Sequence, residues 1–336
     1  MAKSLEGFCS TMFRTYGSPG SIAYDIGTLA GQFVQYFGLS SYPNLIELKL
    51  LLDLHHQMAS IQPGHLGGLA GCHYLDELKK LCIEYEATDW LGRNEFTIMH
   101  ELYEAVQETF ERLVHGYQAH RDPTTLCMKP YADRFAAAVL MQPDVFVAAI
   151  LETGLDICAL RRYFNFSNRS YSSVAIRIKE LLKPPVVADG IDFLIAIYER
   201  QSEGKPQEWS FDCCPEDFQA RCVVKTRGIR LSQSKRRANF RAYLFPRRLF
   251  PVRGEKPATG FIVDEVVEQG QPVYYENAMF DLLGNNELAL IARPVHWWGR
   301  MAKVILVAVR RKDSSLLQKQ VERLSDLYVR STVYIS

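Results

Sequence analysis

Residues 96–106, FTIMHELYEAV, set His100 beside Glu101 and place a second glutamate, Glu104, four positions after the histidine. Side chains at i and i+4 of a helix reach the same point in space, so an imidazole and a carboxylate at this spacing can share one cation. Zinc accepts nitrogen and oxygen donors at similar distances, and a catalytic zinc site takes three protein ligands and leaves one position open. On this spacing His100 binds through a ring nitrogen, Glu104 through a carboxylate oxygen, and Glu101 takes a proton from the activated water. A carboxylate in place of a second imidazole lowers the effective charge of the metal and favours a harder ion, so Mn²⁺ stands beside Zn²⁺ as a candidate. The competing structural explanation is a solvated acidic face with charge pairs one turn apart.

The elements around the motif give it a setting. Phe96, Met99, Tyr103, Val106, Phe110, Leu113 and Tyr117 recur at steps of three and four, the signature of one buried stripe on a long helix. His100 and Glu104 lie beside that stripe and Glu108 continues their line, which places them at the rim of whatever the helix packs on. Upstream, residues 20–60 carry helical spacing, and GHLGGLAGCHYL (64–75) and KKLCIEYEA (79–87) have the character of two short strands. The glycines of the first predict an edge strand or a place where another backbone comes close. Downstream, 129–146 predicts a helix ended before Pro143, and 153–182 a helix, an Asn/Ser-rich turn and a second helix after a Ser cap.

That ordered set of segments carries a resemblance. FTIMHELYEAV, then ADRFAAAVLMQPDVF (132–146), then TGLDICALRRYFNFS with SVAIRIKEL resembles the ImmA/IrrE family of zinc-peptidase-like proteins in order, spacing and residue type, over roughly residues 60–182. The resemblance implies a zincin-like peptidase domain at 1–147, a helical, helix-turn-helix-like connector at 148–185 and, in IrrE-type members, a GAF-like sensor domain at 190–336. It implies metal-dependent cleavage of a helix-turn-helix repressor that releases stress-response or mobile-element genes. Carried over residue by residue, His100 matches the first zinc ligand and Glu101 the general base, while Glu104 stands where the family has a second histidine. The third ligand position falls on Tyr131, with Asp133 at the neighbouring Asn position. Residues i and i+2 project from opposite sides of a helix, so Tyr131 and Asp133 cannot both serve. His115 and His120 remain further candidates.

After KPPVVADG (183–190), a stretch suited to a linker, composition shifts towards strands: EWSFDC, ARCVVKTRG, FRAYLF, GFIVDEVVE, QPVYYE, ELALIARPV and KVILVAVRR. A last helix is expected from a capping box at Ser315-x-x-Gln318, with Leu317, Val321, Leu324 and Tyr328 on one face. The fold class is therefore α+β, with a C-terminal antiparallel sheet flanked by helices. Between Arg221 and Arg253 stand eleven Lys or Arg and no Asp or Glu, with Phe240, Tyr243, Phe245 and Phe250 among them. Arg230, Lys235, Arg236, Arg237 and Arg241 are the candidate contacts for an anionic ligand, nucleic acid or nucleotide, since interleaved aromatics stack on bases. A charged loop beside an edge strand explains the same pattern without a ligand. Arg161, Arg162, Arg169, Arg177 and Lys179 in the helical segment offer a weaker phosphate-binding set, and a packed connector is the favoured reading there.

The bulk numbers bound these readings. At 336 residues the chain accommodates two or three domains, and 48% hydrophobic with 23% charged residues is ordinary for a folded protein. A net charge of +1 excludes global attraction to nucleic acid or membrane, so any such binding is local. No apolar run reaches the ~18 residues of a membrane span, and the N-terminal residues lack a secretory apolar core. The eight cysteines form no Cys-x-x-Cys pair, which predicts reduced thiols and a cytoplasmic setting. The adjacent Cys213 and Cys214 are expected to be idle thiols rather than a redox pair.

Overall fold

The computed structural model describes residues 4–16, 25–54, 58–77, 80–87, 91–115, 129–163, 169–182, 190–201, 208–229, 251–253, 262–280, 287–324 and 328–330. The chain divides into two compact units, Met1–Val147 with Arg161–Ser170, and Ala148–Leu160 with Tyr171–Ser336. Both mix helices and strands, so the fold is α+β. The linker proposed at 183–190 lies outside the described residues except for Gly190.

In the first unit, helices α1 (Leu5–Tyr16), α2 (Ile26–Phe37) and α3 (Leu45–Leu54) precede strands β1 (Met58–Gly64), β2 (Gly71–Leu75) and β3 (Leu81–Glu86). Helices α4 (Leu91–His115) and α5 (Lys129–Leu140) follow. The sheet order is β1-β3-β2, with β1 parallel and β2 antiparallel to the central strand. Strand β1 begins at Met58, inside the end of the 20–60 stretch whose spacing suggests helix. Pairing with β3 and burial of Ile61 decide it, and neither is visible in local periodicity. Asp25 caps α2 by accepting from the Thr28 N–H at 3.2 Å, and Gly38 (φ 71°) ends it in the left-handed region where a side chain would be strained. The core is built from the apolar stripes of α1, α2, α4 and α5. Phe33 and Phe135, and Phe135 and Tyr103, each have ring centroids 5.4 Å apart, contacts worth about 0.5–1.5 kcal/mol beyond their buried area.

Arg169 is buried against the fully buried Glu95 in an ion pair and donates to the Pro43 carbonyl at 3.1 Å, while Glu95 also accepts from the Leu45 N–H at 3.0 Å. This arginine is an internal fastener and is withdrawn from any phosphate contact. Breaking such a pair from one side leaves a buried charge and costs about 3–5 kcal/mol.

Helices α6 (Pro143–Thr153) and α7 (Ile157–Tyr163) follow α5. Pro143, expected beyond a helix end, opens α6, where its missing N–H would have had no helical partner. In the second unit come α8 (Tyr171–Leu181), β4 (Phe193–Arg200), β5 (Phe218–Lys225), β6 (Pro251–Arg253), α9 (Ile262–Gln269), β7 (Val273–Phe280), β8 (Leu288–Trp297), β9 (Arg300–Arg310), α10 (Ser315–Arg323) and β10 (Tyr328–Arg330). Strands β7-β8-β9-β4-β5 form an antiparallel sheet, which β10 extends in parallel beside β7. Alternate residues of β4 and β9, such as Leu194 with Ile195 and Leu306 with Val307, are buried on both faces. Helix α9 covers one face, and α8 packs on β4 and β5.

Several expectations are corrected here. The described part of GFIVDEVVE, from Ile262, is helix α9, because Ile262, Val263, Val266 and Val267 fall on one helical face and Asp264 and Glu265 sit in its first turn. EWSFDC is irregular, and β4, at 193–200, is the strand that precedes it. The last helix is preceded by Ser314, which makes no side-chain cap bond, and Tyr328 belongs to β10. FRAYLF lies outside the described residues. Arg177 is buried and paired with Glu180 at 3.0 Å, so it too faces inward.

Cys213 and Cys214 are free thiols, and burial pushes the Cys213 pKa up, away from the thiolate that redox chemistry needs. Among the described residues no single helix is long and apolar enough to cross a membrane.

Candidate metal centre

Helix α4 is held by Met99, Tyr103, Val106 and Phe110, all buried, so the faces flanking this stripe are fixed relative to the sheet. The line Thr97, Glu101, Glu104, Glu108 runs along one flank at steps of four, three and four, next to edge strand β2. In β2 the residues Gly71, His73 and Leu75 pair with Tyr85, Ile83 and Leu81, whose side chains are buried. Directly opposed residues share a face, so His73 points onto the core side of the sheet, at its edge, towards α4. Tyr74 points the other way and donates to Glu84 at 3.0 Å. Gly71 permits the approach. A Cβ there would stand 2.3 Å from Thr97 Cγ2 and 3.4 Å from Glu101 Cγ. Of the glycines in 64–75 only Gly71 lies in this edge strand, and what approaches it from α4 is the Thr97 side chain, not a backbone.

The polar groups form a chain. His73 Nδ1 lies 2.8 Å from Glu101 Oε2 and 3.9 Å from Glu104 Oε2, and its Nε2 lies 3.4 Å from Glu108 Oε1. His100 Nε2 lies 3.3 Å from Glu104 Oε1, and its Nδ1 lies 3.0 Å from Asp133 Oδ1 on α5. Glu104 is shared, one oxygen towards each imidazole. Donor atoms of His73, Glu101 and Glu104 all lie within 4.8 Å of one another, a spacing that can hold a metal ion.

Electrostatics agree with that spacing. Burial alone would lower the pKa of His73, but the hydrogen bond to Glu101 and the nearby negative charges of Glu101 and Glu108 outweigh it and push it up to about 9. His100 is likewise pulled down by burial and pushed up to about 9 overall by Asp133 and Glu104. The hydrogen bond from His100 lowers the pKa of Glu104. Four carboxylates around two imidazoles make a site in which protons stand in for a cation. A divalent ion would replace them.

The donor set fits such an ion. One nitrogen and two carboxylate oxygens suit Mn²⁺ or Zn²⁺, with the oxygen majority favouring the harder ion. The His73 side chain is only 6% exposed, and its Nε2 makes no hydrogen bond in this arrangement.

The residues expected from the sequence are distributed as follows. His100 and Glu104 meet. Glu101, expected as the base, turns to His73 and joins the trio. Tyr131 is half-buried against the core of the first unit, beside Tyr103, whose pKa is pushed up by burial and secondarily by Tyr131. Asp133, two residues on, meets His100 from the other side of α5. The His115 side chain, His120, Arg230, Lys235, Arg236, Arg237 and Arg241 lie outside the described residues. Sequence reasoning missed His73. The signal available was its inward phase in the alternating pattern of strand 71–75.

No family model matches the chain, and no curated protein matches it. Among solved structures, a Mycobacterium tuberculosis transcriptional regulator is similar over 98% of this chain and 88% of that chain, with 12% identity and a TM-score of 0.51. At that identity the similarity is one of fold.

Proposed function

We propose that the chain is a metal-dependent regulatory endopeptidase of the ImmA/IrrE type, with a zincin-like first unit, acting on a helix-turn-helix repressor. The observation that supports it is the His73–Glu101–Glu104 trio beside His100, set on the helix that carries the His-Glu-x-x-Glu motif. A divalent ion held there would supply Lewis-acid activation of water and of a peptide carbonyl. The chain's own part is to hold that ion with His73, Glu101 and Glu104. His100, anchored by Asp133, then presents Nε2 to the outer oxygen of Glu104 and steadies that carboxylate. The fold shared with a transcriptional regulator supports a regulatory role. On the same reading residues 190–336 act as a GAF-like sensor, and the basic stretch around Arg236 takes an anionic ligand, in a cytoplasmic protein.

A second reading is favoured by Glu101 itself. Its carboxylate is 2.8 Å from His73 and largely buried, so as a ligand it is no longer the motif's free base. The cation would then be structural and the chain would regulate by binding its repressor or DNA. Metal analysis of the purified protein after Mn²⁺ or Zn²⁺ loading, with repressor cleavage followed for the parent and for Glu101→Gln, separates the two. Stoichiometric metal with cleavage that Glu101→Gln abolishes supports the peptidase, and stoichiometric metal without cleavage supports the binder. A parent protein that takes up neither ion refutes the peptidase and the structural cation, and supports a metal-free regulator that binds its repressor or DNA.

A further inference from the structure

We propose that Glu108 is a positioning residue that determines which nitrogen of His73 meets the cation. This inference rests on the cation site proposed above. His73 has one ring nitrogen, Nδ1, turned towards Glu101 and Glu104, and the other, Nε2, turned away from them towards Glu108 Oε1 at 3.4 Å. An imidazole can give a metal only a deprotonated nitrogen, so the second nitrogen must carry the proton and needs an acceptor. Nε2 is buried and short of hydrogen-bond geometry, and a buried donor without an acceptor is unfavourable. Glu108 stands one turn beyond Glu104 on α4 and is 38% exposed, so its carboxylate has room to turn and close that gap. A proton held on Nε2 leaves the Nδ1 lone pair pointing at Glu101 and Glu104.

The other imidazole has the same construction in mirror order. His100 has Nδ1 on Asp133 and Nε2 towards Glu104. Each ring is therefore gripped from outside by one carboxylate and presents its inner nitrogen to the shared centre. Glu108 does this for the ring that belongs to the trio. In His-Glu-x-x-Glu-x-x-x-Glu, the last glutamate serves a histidine that lies in a strand before the helix.

The test uses the full chain with ¹⁵N-labelled histidine, loaded with ¹¹³Cd²⁺, and reads ¹¹³Cd–¹⁵N coupling by NMR. Coupling is expected at Nδ1 of His73, with Nε2 protonated. Cd²⁺ and Mn²⁺ affinities are then compared in Glu108→Ala and Glu108→Gln, both good helix residues at a half-exposed site. Loss of the outer partner is expected to weaken metal binding by about 10–100-fold in the alanine variant. The glutamine, which keeps an oxygen acceptor, should stay close to the parent value. Coupling at Nε2, an alanine variant with parent affinity, or a glutamine variant as weak as the alanine overturns the proposal while leaving the metal site itself standing. A parent protein that binds neither ion removes the metal reading and this one with it.

Discussion

Substituting Gly71 with alanine tests how closely α4 must lie on β2 for the centre to exist. The added Cβ would stand 2.3 Å from Thr97 Cγ2 and 3.1 Å from the Glu84 carbonyl oxygen. Carbon atoms pack at about 3.5–4.0 Å, so Thr97 and the helix turn beneath it must retreat by roughly 1 Å or more. Thr97 is buried and β-branched within a helix, which leaves its methyl little freedom to rotate aside. Glu101 is one turn further along the same face, so the 2.8 Å contact with His73 opens with the retreat. Overpacking of this kind costs about 1–3 kcal/mol, and each 1.4 kcal/mol that reaches the ligand geometry is about tenfold in affinity. Gly71→Ala should therefore melt lower and bind Mn²⁺ at least about tenfold more weakly. Thr97→Ser removes the clashing methyl and should restore most of both losses in the double variant, with the 3.1 Å carbonyl contact accounting for the remainder. The assays are Mn²⁺ titration by calorimetry and thermal unfolding of all four proteins. Parent-like binding in Gly71→Ala, or no rescue by Thr97→Ser, refutes the argument.

Two further outcomes are expected. In the metal-free protein His73 and His100 are pushed up to about 9, above the 6.5 of a free imidazole. A raised pKa contributes stability that is whole below pH ~6.5 and lost as pH rises through ~9, at most about 3 kcal/mol for each and less for the pair because they share Glu104. Melting temperature should fall across that window in apo protein and less in His73→Gln, and a flat profile in the parent counts against the charged cluster. At the tip of the β8–β9 hairpin, Trp298 has φ 54° and precedes Gly299 with φ 75°. Both residues of this two-residue turn lie in the left-handed region, where asparagine fits and a bulky side chain is strained. Since Trp298 is 72% exposed it contributes little packing, so Trp298→Asn should gain about 1 kcal/mol in urea denaturation. A loss of stability would show that the indole is holding the turn.

Much of the frame was legible because it is written in local periodicity. The stripe from Met99 to Phe110 announced α4, and its three-and-four spacing put His100 and Glu104 on one edge. The same reasoning failed where two periodicities compete. Ile262–Gln269 is rich in β-branched residues yet helical, and Met58–Gly64 is a strand only because β3 lies beside it. Residues i and i+2 oppose each other on any helix, so Tyr131 and Asp133 of α5 part, Tyr131 to the core and Asp133 to His100. Which of them faces His100 depends on how α5 rolls against Phe33 and Tyr103, and that is a packing outcome.

By itself the sequence determined which helix carries His100, Glu101 and Glu104, which residues on it share a face, and that a carboxylate stands one turn after the imidazole there. Periods of 3.6 and 2 are properties of a single segment. Tertiary structure alone decided that His73, twenty-eight residues before Glu101, closes the trio, and that Glu101 turns to meet it. That meeting depends on strand order, on the register of β2 against β3, and on a glycine that lets a helix come within reach. No stretch of chain encodes those three things separately.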